Sequence, residues 1–279
     1  FSSCSTRKGD ISEAQRLAEI ASRVTIVRDS FGVPHIYGES DADAIFGMLY
    51  AQCEDDFNRV EQNYIWATGR LAEVEGESAI YSDLRANMFM TQDEAKQMYE
   101  NAPEDVKQWC QAFADGVNYY LMTNPEVQPR LLTKFEPWMP LYFSEGSIGG
   151  DIERVSTRKI KSFYEQDSNQ DLAYVSMDAD LVQFQEPQGS NGIALDPSMT
   201  ESGNAMLLIN PHTSFYFRGE LQMKSNENLN AYGAVTWGQF FIYQGFNEHT
   251  GWMHTSTYTD VIDEFKEDMI TKKAPNSVF

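Results

Sequence analysis

An α+β fold is predicted for this chain, and three observations predict it. Helical periodicity dominates the first part, a succession of short strand patterns fills the part after residue 190, and the two meet at a polar, proline-bearing run, Glu186-Pro187-Gln188-Gly189-Ser190-Asn191-Gly192. Helices followed by a block of strands, without strict alternation, favour layers in which the two element types are segregated. No internal repeat is visible. The 279 residues suffice to bury a sizeable core.

The elements follow in order. Val24–Arg28 and Val33–Tyr37 read as short strands joined by a turn at Asp29-Ser30-Phe31-Gly32. Asp41 is placed to cap a helix running to about Ala67, with Ala44, Leu49, Phe57, Val60 and Tyr64 on its apolar face and Gly69 ending it. A second helix starts around Pro103, carries Trp109, Phe113, Val117 and Leu121 at three- and four-residue spacing, and stops at Asn124-Pro125. Pro125, Pro129, Pro137 and Pro140 mark an irregular crossing, and a third helical pattern spans roughly Glu145 to Glu165. From Gln166 to Gln188 the chain is polar and weakly periodic, a loop or removable spacer. A strand-like segment follows Ser190, then Ala205–Ile209, Ser214–Phe217, Ala231–Thr236, Phe240–Tyr243 and Trp252–Thr257 read as strands.

Composition excludes some functions. Lys+Arg 21 against Asp+Glu 42 leaves a formal charge of −21 and a pI near 4.4. Such a surface repels phosphates and anionic lipid, which argues against a nucleic-acid partner. It suits Ca²⁺, which takes oxygen ligands. With 42% hydrophobic and 13% aromatic residues the chain is a folded globule, not a disordered acidic polymer.

Three cysteines, Cys4, Cys53 and Cys110, form neither a disulfide framework nor a metal-type pair. Cys53 and Cys110 lie in helical patterns and read as buried thiols. Cys4 sits in Phe-Ser-Ser-Cys-Ser, which resembles the end of a bacterial lipoprotein signal with Cys4 as the lipidated residue. Residues 1–23 are then an N-terminal tail, and the protein an exported lipoprotein, periplasmic or outer-membrane-associated. No stretch is long enough to span a membrane.

Gly189–Ser190 carries the chemistry. If that bond is cut, Ser190 becomes a chain terminus with a hydroxyl as nucleophile and an α-amine as its base, acting directly or through one water. An α-amine titrates near about 7.7–8.0, so roughly a tenth to a fifth is unprotonated at neutral pH. No histidine base is required. On its own a Gly-Ser-Asn tripeptide is an ordinary surface turn; its flanks change that reading.

Arg28-Asp29-Ser30-Phe31-Gly32-Val33-Pro34-His35-Ile36-Tyr37-Gly38 resembles the opening motif of the penicillin acylase family of N-terminal nucleophile hydrolases. So do Asp43-Ala44, Phe46-Gly47, Tyr50-Ala51-Gln52, Glu54-Asp55, Gly69-Arg70-Leu71-Ala72-Glu73 and Gly76. After Ser190-Asn191 the likeness continues through Thr200, Ser202-Gly203, Pro211-His212, Gly245, Asn247, Gly251-Trp252, Thr255, Asp260 and Asp263, so it covers about residues 24 to 265. In general appearance the chain resembles the acyl-homoserine-lactone and aculeacin acylases of that family.

The resemblance implies a four-layer αββα sandwich, present here in part, and a precursor that cuts itself into α and β subunits. Segment 24–165 would be α-subunit-like, 166–189 a spacer, and 190–279 the start of a β-subunit-like segment. It implies that Ser190, freed from Gly189, attacks an amide carbonyl. The backbone N–H of Ser256 would give one oxyanion donor, and His212 would orient the amine or support the oxyanion. Asp260 and Asp263 would bind a structural calcium, with Glu153, Glu165 and Asp167 as candidates for an acidic ligand from the α segment. The substrate would be a small-molecule acyl amide such as a penicillin, an acyl-homoserine lactone or a lipopeptide, its acyl part in an apolar pocket lined by aromatic and methionine residues around 64–90 and 215–252. The 90 residues from 190 to 279 (279 − 190 + 1) are fewer than a family β subunit has. The remainder of that subunit, with an oxyanion asparagine and further calcium ligands, is expected as a partner beyond Phe279.

Other readings stand beside this one. His35 reads as a structural strand histidine, His249 as part of a solvated turn beside Glu248, and His254 equally as pocket lining or packing; His212 alone favours function. A Ser/His/Asp triad lacks its Gly-x-Ser-x-Gly elbow. Glu54-Asp55-Asp56 reads as a solvated helix face or a pairing with Arg59. Gly192 and Ala194 replace bulkier residues, which keeps a different class in view: an unprocessed, non-catalytic binding or structural protein.

Overall fold

The computed structural model describes residues 12–142, 155–165, 190–212 and 218–255. The α+β class is what it shows. Seven α-helices are described: α1 Glu13–Ala21, α2 Asp41–Ala67, α3 Ala72–Glu75, α4 Ile80–Phe89, α5 Gln92–Asn101, α6 Glu104–Thr123 and α7 Thr157–Glu165. Eight strands are described: β1 Val24–Arg28, β2 Pro34–Gly38, β3 Ser190–Leu195, β4 Met206–Pro211, β5 Arg218–Ser225, β6 Asn230–Thr236, β7 Gln244–Phe246 and β8 Gly251–Trp252. Six form one sheet in the order β1-β2-β5-β6-β7-β8, and β3 with β4 forms a separate two-stranded sheet. Only β2 and β5 run parallel among these pairs, with His35 opposite Gln222 and Ile36 opposite Met223. Strands from either side of residue 190 thus share one sheet.

The β1–β2 turn forms as its residues dictate. Asp29 Oδ1 accepts from the N–H groups of Phe31 at 2.8 Å and Val33 at 3.0 Å, and Gly32 takes the left-handed φ of +83° that favours glycine. Strand β2 begins at Pro34, one residue later than expected. The cap of α2 is Ser40 rather than Asp41: its hydroxyl accepts from Asp43 N–H, and the Asp43 carboxylate accepts from Ser40 N–H. Serine three residues ahead of an acidic residue satisfies two orphan donors at once.

Helix α2 is the spine of the core. Tyr64 rests at ring-centroid distances of 5.1 Å on Phe113 and 5.8 Å on Phe135, while Ile36, Leu221, Met223 and Val235 supply the sheet side of the same cluster. Close approach needs glycine at two points. A Cβ on Gly47 would lie 2.5 Å from Val24 Cγ1, and one on Gly116 of α6 would lie 2.5 Å from the Phe46 carbonyl oxygen. Midway, Asp56 departs from helical geometry at φ −159°, ψ 76°, and its side chain accepts from Arg59 N–H at 3.1 Å. It re-caps the second half of the helix.

Buried polar groups of α2 have definite partners. Glu61, fully buried, accepts from the backbone N–H of Arg130, Leu131 and Leu132 at 2.8–2.9 Å. Gln52 donates to the Gln239 carbonyl at 2.9 Å and accepts from Gly238 N–H at 2.8 Å. Asn63 donates to the Trp237 carbonyl at 2.8 Å, and the Tyr64 hydroxyl donates to that of Gly238 at 2.7 Å.

Several other expectations change. The tail expected over 1–23 contains α1, whose Leu17 is buried and whose Arg16 grips buried Asp115 through two 2.6 Å hydrogen bonds. Strand β4 covers Met206–Pro211 rather than Ala205–Ile209. Phe240–Tyr243 is a series of bends, the ladder resuming at Gln244; strand β8 ends at Trp252, and Met253–Thr255 continue without ladder pairing. Strand β5 and helices α4 and α5 had no sequence expectation. Residues 145–154 of the third helical pattern, the spacer 166–189 and Ser214–Phe217 lie outside the described residues, as does Cys4. Among the described residues no helix is long and apolar enough to cross a membrane.

Tyr64→Phe strands the Gly238 carbonyl, at an expected cost of about 1–3 kcal/mol. Gln52→Leu removes two buried hydrogen bonds rather than one, so urea unfolding is expected to show the larger loss for Gln52→Leu.

Candidate active site

Ser190 opens β3 opposite Pro211 of β4, so its position follows from the ladder that runs Ser190↔Pro211 to Leu195↔Met206. It is half-buried. Three of its atoms are held. Its N–H donates to Thr255 Oγ1 at 3.0 Å, and the same hydroxyl donates to its carbonyl oxygen at 2.9 Å. The backbone N–H of His212 donates to its Oγ at 3.3 Å.

Neighbouring residues fix this arrangement. Asn191 Nδ2 lies 3.0 Å from His212 Nε2; with the amide as donor, the ring accepts at Nε2 and a neutral imidazole carries its proton on Nδ1. The ring of His212 thus binds Asn191, while its main chain contacts the serine. Gly192 abuts Met253, whose sulfur occupies the space a Cβ would take, and Gly251 likewise abuts Leu207 of β4. The β3–β4 sheet is therefore seated on β8 and the three residues after it. Those residues are anchored in turn: Gln244 donates to the His254 carbonyl at 3.1 Å, the His254 ring stacks on Tyr243 at 4.6 Å, and Trp252 Nε1 donates to the Ile242 carbonyl at 3.1 Å.

The other expected site residues are distributed as follows. Gly189, Ser256, Asp260, Asp263, Glu153 and Asp167 lie outside the described residues. Glu165, on α7, accepts from the Tyr81 hydroxyl at 3.0 Å. Among the described residues no group of three or more His, Cys, Asp or Glu side chains could hold a metal ion. His35 Nδ1 meets Gln222 Oε1 at 2.6 Å and its Nε2 lies 3.7 Å from Asp29, which ties the first turn to the sheet. His249 lies in an exposed turn held by Asn247. Of the Glu54-Asp55-Asp56 run, Asp56 pairs with Arg59 at 2.6 Å as expected, while Glu54 and Asp55 pair with Arg28 at 3.0 and 2.8 Å.

Burial removes Cys53 and Cys110 as nucleophiles. It pushes the Cys53 thiol well above its ordinary range and the Cys110 thiol up to about 12, so both stay protonated at neutral pH. Two hollows lie away from Ser190. One, of about 400 Å³, is lined by acidic residues 54–56 and 126 with Tyr120, and the other, of about 610 Å³, by Phe89, Met90 and Met98. Of the range 64–90 from which acyl-pocket residues were expected, Tyr64 is core, while Phe89 and Met90 line the second hollow.

The two residues singled out in the sequence, Ser190 and His212, are in contact here, but the sequence assigned no task to Thr255, Asn191 or Met253. The unusual Gly192 was the available signal for Met253. Thr255 could not be found from spacing, being 65 residues from its partner.

The model of the penicillin amidase family matches residues 23–278. The chain is 24% identical over 255 residues to an acyl-homoserine lactone acylase PvdQ of Pseudomonas fluorescens Pf0-1, covering 82% of this chain and 32% of that protein. It is 22% identical over 310 residues to an acyl-homoserine lactone acylase QuiP of Pseudomonas fluorescens Pf-5, covering 96% of this chain and 38% of the relative. The chain thus spans about a third of the length of these curated relatives. Among solved structures, a thermostable penicillin G acylase from Alcaligenes faecalis aligns at TM-score 0.42 and 19% identity, over 56% of this chain and 97% of that one.

A side chain at position 192 must displace Met253. Gly192→Val is expected to cost about 1–3 kcal/mol in urea unfolding, with most of the loss recovered when Met253→Ala is added.

Proposed function

The chain belongs to the penicillin amidase family, and from that premise we propose that it is the nucleophile-bearing part of an acylase that hydrolyses amides through Ser190. The observation that carries this reading is the hold on Ser190. A serine at the first position of a strand has its N, O and Oγ each hydrogen-bonded, by Thr255 and His212, which supports reading it as the nucleophile.

The reaction has two halves. In maturation Ser190 Oγ adds to the Gly189 carbonyl, the Gly189–Ser190 amide breaks as an ester forms, and water hydrolyses the ester to leave a free α-amine on residue 190. In turnover that amine takes the Ser190 hydroxyl proton as Oγ adds to the substrate amide carbonyl. The negative oxygen is met by fixed donors, the Ser256 N–H among them; one such donor is worth roughly 3–4 kcal/mol. Collapse expels the leaving amine, which takes the proton from the α-ammonium, and leaves an acyl ester on Ser190. Water, deprotonated by the same amine, releases a carboxylic acid and restores the serine.

The relatives' names point to acyl-homoserine lactones as one substrate class. Acyl amides of other lengths, penicillins and lipopeptides share the bond that is broken, and a hydrolysis screen of phenylacetyl, phenoxyacetyl and straight-chain acyl amides separates them. A structural calcium on Asp260 and Asp263, and attachment to a membrane through lipidated Cys4, complete the reading. No step of the reaction passes through the calcium.

Intact mass of the full-length protein is expected to show a β polypeptide beginning at Ser190. Ser190→Ala is expected to abolish the cut and to lower hydrolysis by at least about a thousandfold. The rate is expected to rise as pH passes through about 7–8, where the terminal amine loses its proton. A β polypeptide starting elsewhere contradicts the mechanism; an uncut protein that still binds acyl amides supports a non-catalytic role.

A further inference from the structure

We propose that Thr255 is a positioning residue for the Ser190 amine. The inference rests on the reading of Ser190 as a chain-terminal nucleophile and goes beyond it by asking what keeps the base on the correct side of its hydroxyl. A terminal residue has one peptide bond, not two, so rotation about its N–Cα bond must be restrained by something other than the chain. Thr255 Oγ1 contacts both ends of the residue: it accepts from the nitrogen at 3.0 Å and donates to the carbonyl oxygen at 2.9 Å.

The proton inventory decides what this contact can do. A threonine hydroxyl has one hydrogen, and here it is committed to the Ser190 carbonyl. Towards the nitrogen, Thr255 can therefore only accept. It fixes one N–H of the amine and does not occupy the lone pair, which must reach the Ser190 hydroxyl. A donor at this place would compete for that lone pair and weaken the base. On the other side of the residue, His212 N–H donates to Oγ at 3.3 Å and fixes the hydroxyl. The two contacts set the relative orientation of base and nucleophile.

Thr255 is itself held by the stretch Met253–Thr255, which Gln244 and Tyr243 anchor through His254 and which Met253 fits against Gly192. The contact is thus tied to the large sheet and does not depend on the β3–β4 pair alone.

The test uses the full-length protein. Thr255→Val keeps the shape and removes the hydroxyl; Thr255→Ser keeps the hydroxyl. Thr255→Val is expected to lower kcat by about tenfold or more with KM nearly unchanged, because orientation and not substrate binding is lost. An acceptor of N–H favours the charged amine, so its removal lowers the amine pKa and moves the acidic limb of the rate profile to lower pH, by about half a unit. Thr255→Ser is expected to behave like the parent in both. If Thr255→Val fails to mature, the same rates are read after co-expressing the two segments, the second with only an initiator methionine ahead of Ser190, whose removal frees the serine. Parental kcat and an unmoved limb in Thr255→Val overturn the proposal, as does equal loss in Thr255→Ser. Retained activity in Ser190→Ala instead overturns the underlying reading of Ser190, so the two failures are distinguishable.

Discussion

The turn Trp237-Gly238-Gln239 is bound to helix α2 by Gln52, Asn63 and Tyr64, and the geometry around Ser190 descends from that contact. Each link in the descent is a register. The turn fixes where β6 ends, and β6 sets β7, whose Gly245 pairs with Trp252 of β8. Beyond β8 come Met253 and Thr255, which seat Gly192 and Ser190. Each of the four hydrogen bonds at the turn is worth only about 1 kcal/mol net, yet leaving a buried partner unmet costs about 1–3 kcal/mol. Their importance is that they admit one placement of the turn, not that they add much stability.

Buried carboxyl groups on α2 and α6 have partners that let an acidic chain tolerate them. Asp43 and Asp115, both nearly inaccessible, are gripped in two-point fashion by Arg23 and Arg16, whose own side chains remain partly exposed. Removing either arginine would leave an uncompensated carboxylate, which is the costly way to break such a pair. Glu61 is met instead by three backbone N–H groups from the proline-marked crossing, and it thereby gives that irregular stretch a fixed path. Glycines at 47 and 116 let α6 and the sheet close on α2 from two sides.

Much of this was legible in the sequence where the signal is local. The β1–β2 turn needs Asp29 and Gly32 at fixed offsets; α2 and α6 are long enough for their apolar spacing to dominate; Cys53 and Cys110 sit in helical patterns and are buried. Helix α2 was expected to run to about Ala67, where it ends, but it begins one residue earlier than a cap at Asp41 implies, because Ser40 and Asp41 are both good caps and only geometry chooses. Short elements escaped: α4 and α5 have mixed surfaces, and β5 carries Glu220, Gln222 and Lys224 at alternate positions, on a face that is exposed or half-buried. Phe240–Tyr243 looks like a strand by composition but is bent by the turn that α2 holds. At the candidate site, Ser190 and His212 were singled out from their neighbouring residues, whereas the contact of Thr255 with Ser190 spans 65 residues and cannot be read from local spacing.

Segments on either side of residue 190 are held as one folded unit by the parallel β2–β5 pairing and by the grip of α2 on the 237–239 turn. Size-exclusion chromatography of a chain cut once between residues 165 and 190 tests this directly. The two pieces are predicted to co-elute as one particle and to part only at the urea concentration that unfolds the helices. Separation of the pieces in plain buffer, with each retaining its secondary structure, would contradict the account.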